Sequence, residues 1–144
     1  MTDEPVKTVH WSFWVISAAA LIWNVMGGIN FFMQMNIDVV ASMPETAQAI
    51  IEDRPTWATG GFAVAVFGGA LGALLLLLRK SMAYYVFIAS LLGVIVTMLH
   101  TIGIAYWTIT FKPFEIMMMI LMPMLVAALL IYYAKWTEHK GWIR

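Results

Sequence analysis

The sequence predicts an all-α fold: a four-helix transmembrane bundle that forms a single integral membrane domain over residues 1–144. Three observations carry that prediction. First, 62% of the 144 residues are apolar and only 11% are charged, against about 25% charged in an average soluble domain. A soluble domain of this size cannot bury so much apolar surface, and a disordered chain would be far more polar. Second, the sixteen Asp, Glu, Lys and Arg residues leave four uncharged windows, 8–37, 55–78, 81–111 and 116–134, of 30, 24, 31 and 19 residues. Crossing the hydrocarbon takes about 20 apolar residues as a helix, and a helix satisfies its own backbone polar groups inside such a segment. Third, aromatic residues gather at the window ends, where ring anchors sit at a membrane surface. Trp11, Trp14, Tyr84, Tyr85, Tyr132, Tyr133 and Trp136 fall at one side, and Phe31, Phe32, Trp57, Tyr106, Trp107, Phe111 and Phe114 at the other.

The first helix is expected over Trp11–Met33. Ala18 and Ala20 behind Lys7 resemble a signal-peptide cleavage site. They precede Leu21, Ile22 and Trp23 in the middle of the apolar run, however, so the helix is expected to remain uncleaved. The other three crossings are expected over 57–78, 82–108 and 114–134. Six Lys and Arg residues (Lys7, Arg79, Lys80, Lys135, Lys140, Arg144) lie on the side of the termini, against two (Arg54, Lys112) on the other. The positive-inside rule then places both termini in the cytoplasm.

The loop after helix 1 has the Ser42-x-x-Glu45 spacing of a capping box, with Pro44 near the first turn. Ala47, Ile50 and Ile51 form an apolar stripe, and Glu45, Gln48 and Glu52 face elsewhere. This predicts a short amphipathic outer-surface helix over 44–53, lying either in the membrane surface or across the bundle mouth.

In helix 2, Gly61, Ala65, Gly69 and Ala73 recur every four residues, flanked by Gly68 and Gly72. Small residues at this spacing let a neighbouring backbone approach closely, within the monomer or in an oligomer. Helix 3 carries a small and polar stripe of Ser90, Gly93, Thr97, His100, Thr101, Trp107 and Thr108, which lipid would not require. His100 is expected at a depth similar to Asn24 of helix 1, which follows Trp23. Asn30 and Gln34 extend a polar track outward, and Glu115 starts helix 4 at that end. Two readings follow: an outward-facing pocket of Trp23, Asn24, Asn30, Gln34 and His100 with Glu115 near its mouth, or a set of interhelical hydrogen bonds.

Several activities are excluded or disfavoured. Zero formal net charge offers no field for nucleic acid. The absence of cysteine excludes thiolate metal sites and iron–sulfur clusters, and a bis-histidine haem lacks its second buried histidine. With no carboxylate inside the windows, the protein is not expected to be an enzyme. Twelve methionines make the chain methionine-rich. Met118 and Met122 have the one-turn spacing of a copper(I) pair, but Met also fills irregular cores; no metal and no cofactor are expected. Pro123 should kink helix 4 and free the carbonyl of Met119.

The segments Leu21-Ile-Trp-Asn-Val-Met-Gly27, Pro55-Thr-Trp-Ala-Thr-Gly-Gly-Phe-Ala-Val-Ala-Val-Phe-Gly-Gly69 and His100-Thr-Ile-Gly103 resemble a family of short bacterial four-helix membrane proteins often labelled sugar transporters. The resemblance covers the first three helices and implies a bacterial inner-membrane location. The chain departs from small multidrug transporters, which need a glutamate where Asn24 stands, and from half-size sugar transporters, whose Pro-Gln motif is absent. The expected function is to transport or bind a small neutral solute in the outward-facing pocket. The alternative is a non-transporting accessory subunit of a larger membrane complex. The expected partners are the lipid bilayer, a second copy or that larger complex, and the solute.

Overall fold

The computed structural model describes residues 8–107 and 111–144, apart from the side chains of residues 105 and 106. The Tyr106 side chain and Thr108, singled out above, therefore lie outside the described residues. Four helices are long and apolar enough to cross a membrane. They are α1 (Trp11–Met33), α4 (Thr56–Leu77), α5 (Met82–Trp107) and a composite fourth crossing. The fourth comprises α6 (Pro113–Ile116), a π segment (Met117–Leu121) and α7 (Met122–His139). Two short helices, α2 (Ile37–Ala41) and α3 (Glu45–Glu52), join α1 to α4. The end carrying α2 and α3 is called the loop end, and the opposite one the terminus end.

The connection between α1 and α4 differs from the expectation. Ser42 does not cap α3. Its Oγ donates to the Val39 carbonyl at 2.6 Å and closes α2 instead, while Pro44 precedes α3 without any side-chain cap. A hydroxyl one residue past a helix can turn back to its last carbonyls, and here α2 ends where Ser42 can do so. The Asn36 side chain opens α2 by accepting from the N–H groups of Asp38 and Val39 at 3.0 and 3.3 Å. Gln48 Nε2 then donates to the carbonyls of Ala41 and Met43 and fixes the α2–α3 corner. The glutamate that does close onto an N-cap is Glu115, whose Oε2 accepts from the Lys112 N–H at 3.0 Å.

The fourth crossing runs to His139 rather than stopping at 134. Lys135 and Glu138 do not break it, because they pair at 2.8 Å one turn apart on its exposed surface. Gly141 stops it. With φ at 71° it lets the Trp142 N–H return to the Thr137 carbonyl at 2.9 Å, a Schellman closure. The tail then turns under the bundle. Ser81 N–H donates to the Arg144 carbonyl, Arg144 N–H to the Arg79 carbonyl, and Arg79 Nε to the Trp142 carbonyl at 2.7 Å. Ile143 is driven into the terminus-end core with Phe13, Leu76, Ala83, Phe87, Leu130 and Ala134.

Helix α4 is the centre of the bundle, packed on α1 and on α5, and α7 packs on α5. The small residues of α4 set both contacts. A methyl built on Gly61 would meet Val96 at 2.7 Å, one on Gly68 would meet Ser90 at 3.4 Å, and one on Gly72 would meet Phe87 at 2.7 Å, all on α5. Reciprocally, a methyl on Gly93 of α5 would lie 2.6 Å from both the Ala65 nitrogen and the Gly61 oxygen. Gly69 faces the other way, and a methyl there would overlap the Asn24 amide of α1. Ala65 and Ala73 are buried in the same interfaces. This face is therefore filled within the monomer, the first of the two alternatives that its spacing left open.

Candidate functional site

A cavity of about 480 Å³ lies among α1, α4, α5 and the fourth crossing. That is within the range of about 300–1,000 Å³ usual for small-molecule sites. It exists because α1 and α7 make no packing contact comparable to those of the other neighbouring pairs among the described residues. At the terminus end the gap is filled by the core around Phe13, Leu130 and Ile143. Beyond that core it stays open at the side, where the exposed side chains of Trp23, Met26 and Met118 line it between α1 and the π segment.

Helix α1 and its C-cap contribute Asn24, Gly27, Asn30 and Gln34, spaced at three and four residues so that they share one face, with Trp23 beside Asn24. Four of the six side chains expected in the pocket thus line it: Trp23, Asn24, Asn30 and Gln34. Helix α5 contributes Phe87, Ser90, Val94, Thr97, Met98 and Thr101, and the fourth crossing Met118, Met119, Pro123, Val126, Ala127 and Leu130. The π segment ends just before Pro123, so the proline does not act as a simple kink. The extra residue per turn widens the helix beside the cavity. Met118 lines the cavity and Met122 does not.

Most polar groups in the cavity wall are already engaged. Asn24 Nδ2 donates to the Ala20 carbonyl at 2.8 Å and Ser90 Oγ to the Ala65 carbonyl at 2.6 Å. Thr97 and Thr101 donate to the carbonyls of Gly93 and Thr97 at 3.0 and 3.2 Å. Two groups at the loop end are not engaged. Gln34 Oε1 and Arg54 Nε are buried atoms without a hydrogen-bond partner. The Arg54 guanidinium lies 5.1 Å over the Phe62 ring, which packs on Phe31 at 5.4 Å, one turn before Gln34. Burial pulls the guanidinium below its ordinary pKa by desolvation, and arginine nonetheless stays cationic at neutral pH. Among the described residues the only ion pair is Lys135–Glu138, so no described carboxylate pairs with Arg54.

Two expected residues are elsewhere. His100 does not line the cavity and does not meet Asn24. Its Nε2 donates to the Ile50 carbonyl of α3 at 3.1 Å, and its ring meets Trp57 edge-on at 6.2 Å. The expected equal depth does not hold: Asn24 sits against Gly69 of α4, and the adjoining Gly68 faces Ser90 of α5, ten residues before His100, which lies instead beside Trp57 in the first turn of α4. Adjacent helix positions also differ by about 100° in direction. Thr101 faces the cavity, so His100 beside it faces α3. Glu115 is also outside the cavity. Its Oε1 accepts from Thr46 Oγ1 at 3.0 Å, tying α3 to the start of the fourth crossing. Helix α3 therefore packs across the bundle mouth, with Ile50 only 4% exposed.

Arg54 is the site residue that the sequence reading missed. Its signal was modest: a single basic residue in an otherwise acidic loop, immediately before the Pro55 that opens α4, with Phe62 two turns on. Comparison of the chain with protein families, characterised proteins and solved structures gives no match, so these residues carry the functional argument alone.

Proposed function

We propose that this multi-pass membrane protein binds a small molecule in the cavity among α1, α4, α5 and the fourth crossing. We place it in the bacterial inner membrane, with the loop end outside. The observation that carries the reading is the pairing of a cavity of about 480 Å³ with two buried, unengaged polar atoms at its loop end, Gln34 Oε1 and Arg54 Nε. Buried polar atoms without partners are costly and rare in folded proteins, and a ligand or its water is the ordinary remedy. The amides of Asn30 and Gln34 and the indole of Trp23 offer donors and acceptors around a largely apolar wall, the common composition of a small-molecule site. Orientation rests on the basic side chains, of which Arg79, Lys80, Lys135, Lys140 and Arg144 stand at the terminus end.

Binding is favoured over transport because the terminus end is closed by Phe13, Leu130 and Ile143. A transport cycle would have to part that core. An accessory subunit would not dock through the small face of α4, since α1 and α5 already cover it.

Ala127 lines the cavity and is buried, so Ala127→Phe should fill it without touching the polar end. Wild type and variant would be purified in parallel and their small-molecule extracts compared by mass spectrometry. The expected result is a species enriched on wild type and depleted on a folded Ala127→Phe. Identical extracts from two folded proteins would overturn the binding reading.

A further inference from the structure

We propose that the occupant of the cavity is an amphipathic anion, a single apolar chain with an acidic headgroup, held head-first at Arg54 and Gln34. The inference rests on the binding reading above and adds the chemical class of the ligand.

The cavity wall is graded along the bundle. At the loop end stand Asn30, Gln34 and Arg54; at the deep end stand Phe87, Val126, Ala127 and Leu130. The hydroxyls between these ends interrupt the gradient little, because Ser90, Thr97 and Thr101 donate to backbone carbonyls, and Asn24 commits one of its two N–H groups to Ala20. A polyol lying along the cavity would find few free donors in its inner half. An apolar chain would find the methyl and ring surface it needs, and its burial is the driving force.

The headgroup is specified by charge. Arg54 is a cation, half-buried over Phe62, with Nε shielded from solvent and unbonded. Its sequence neighbours Glu52 and Asp53 are exposed and neither is paired with it. A half-buried guanidinium with no described carboxylate beside it is stabilised most by an anion that accepts two of its N–H groups, as carboxylates and phosphates do. Gln34 supplies the second contact, since its amide can present either its oxygen or its NH₂. Entry is also provided for. The cavity opens along the seam between α1 and the π segment, at Trp23, Met26 and Met118. A ligand with an apolar chain can reach that seam from within the bilayer.

The acid can be a free single-chain amphiphile or the headgroup of an anionic phospholipid with one chain inserted. The experiment separates them. The full-length protein is reconstituted in phosphatidylcholine nanodiscs and exposed to a palmitate analogue with a diazirine in mid-chain. Photolabelled positions are mapped by mass spectrometry. The expected labels fall on Met118, Met119, Val126 or Ala127, and excess oleate removes them. The corresponding palmityl alcohol should need about tenfold or more higher concentration, and Arg54→Gln should weaken the acid by the same factor. Arg54→Lys keeps the charge and should retain labelling within a few-fold, which separates lost charge from lost fold. Displacement by phosphatidylglycerol in the nanodisc but not by oleate would assign the anion to a lipid headgroup. If acid and alcohol label the cavity equally and Arg54→Gln changes nothing, the acidic class is wrong while the binding reading stands. If both probes label only the exposed Leu121, Leu125 and Leu129, the binding reading falls too.

Discussion

His100 donates from Nε2 to the carbonyl oxygen of Ile50 at 3.1 Å, so a histidine inside the α5 crossing holds the short helix that covers the bundle mouth. Both residues are buried. A neutral imidazole that donates from Nε2 leaves Nδ1 as an acceptor. The Trp57 ring flanks the pair. Together with Thr46–Glu115, this fastens α3 at two points, one on α5 and one on α6.

His100→Ala should release that fastening. It leaves the Ile50 carbonyl without its donor, and an unsatisfied buried acceptor costs about 1–3 kcal/mol. The loss should be local. Amide exchange is expected to rise across Glu45–Glu52 while Thr56–Leu77 stays protected, and thermal stability in detergent should fall. Protection of α3 unchanged from wild type would show that the hydrogen bond does not hold it.

Gly93→Ala tests the contact between α4 and α5. The added methyl would meet backbone atoms, the Ala65 nitrogen and the Gly61 oxygen at 2.6 Å, and backbone cannot rotate away. The helices must separate along their length, so a loss of about 1–3 kcal/mol is expected, as for other overpacked positions. Gly60→Ala is the internal control, because nothing lies within 4 Å of its added methyl. It should change stability by no more than about 0.5 kcal/mol. Equal behaviour of the two variants in thermal unfolding would contradict the close approach.

The crossings were legible because bilayer thickness is a strong constraint: a long uncharged window has few alternatives to a helix. The α1 face of Trp23, Asn24, Asn30 and Gln34 was legible for a related reason, since polar residues at helical spacing must share a side. His100 was assigned the wrong depth and the wrong direction, because counting residues between charges does not show how far one helix is slid along another, and direction depends on which neighbour α5 packs against. Arg54 was hidden for another reason. A basic residue in an acidic loop reads as solvated, and only the folded corner sets it over Phe62, eight residues later. The α2 helix carried a readable signal in the Asn36 cap and Asp38 in its first turn. That signal straddled the end of the first uncharged window, where the chain read as loop.

Ile143 should contribute more to stability than a residue in an extended tail usually does. It is 2% exposed and packs in the terminus-end core. Ile143→Ala removes buried methyl groups at a site held rigid by the Arg79 and Arg144 backbone pairing, and a cost of about 2–5 kcal/mol is expected. The measurement is thermal or denaturant unfolding of the purified protein. Wild-type stability for this variant would show that the tail does not seat in the core.

Orientation can be read directly, because the chain has no cysteine to give background labelling. Asp53 stands at the loop end and Lys80 at the terminus end, and both are exposed, so a thiol at either position reports its side rather than its burial. The basic side chains concentrate at the terminus end, and moving them across a bilayer during insertion is disfavoured. An impermeant maleimide added to intact cells should therefore label Asp53→Cys and spare Lys80→Cys, with both reacting after lysis. In that orientation the Arg54 end of the cavity faces outside. Labelling of Lys80→Cys in intact cells, with Asp53→Cys protected, would invert the protein and turn the cavity towards the cytoplasm.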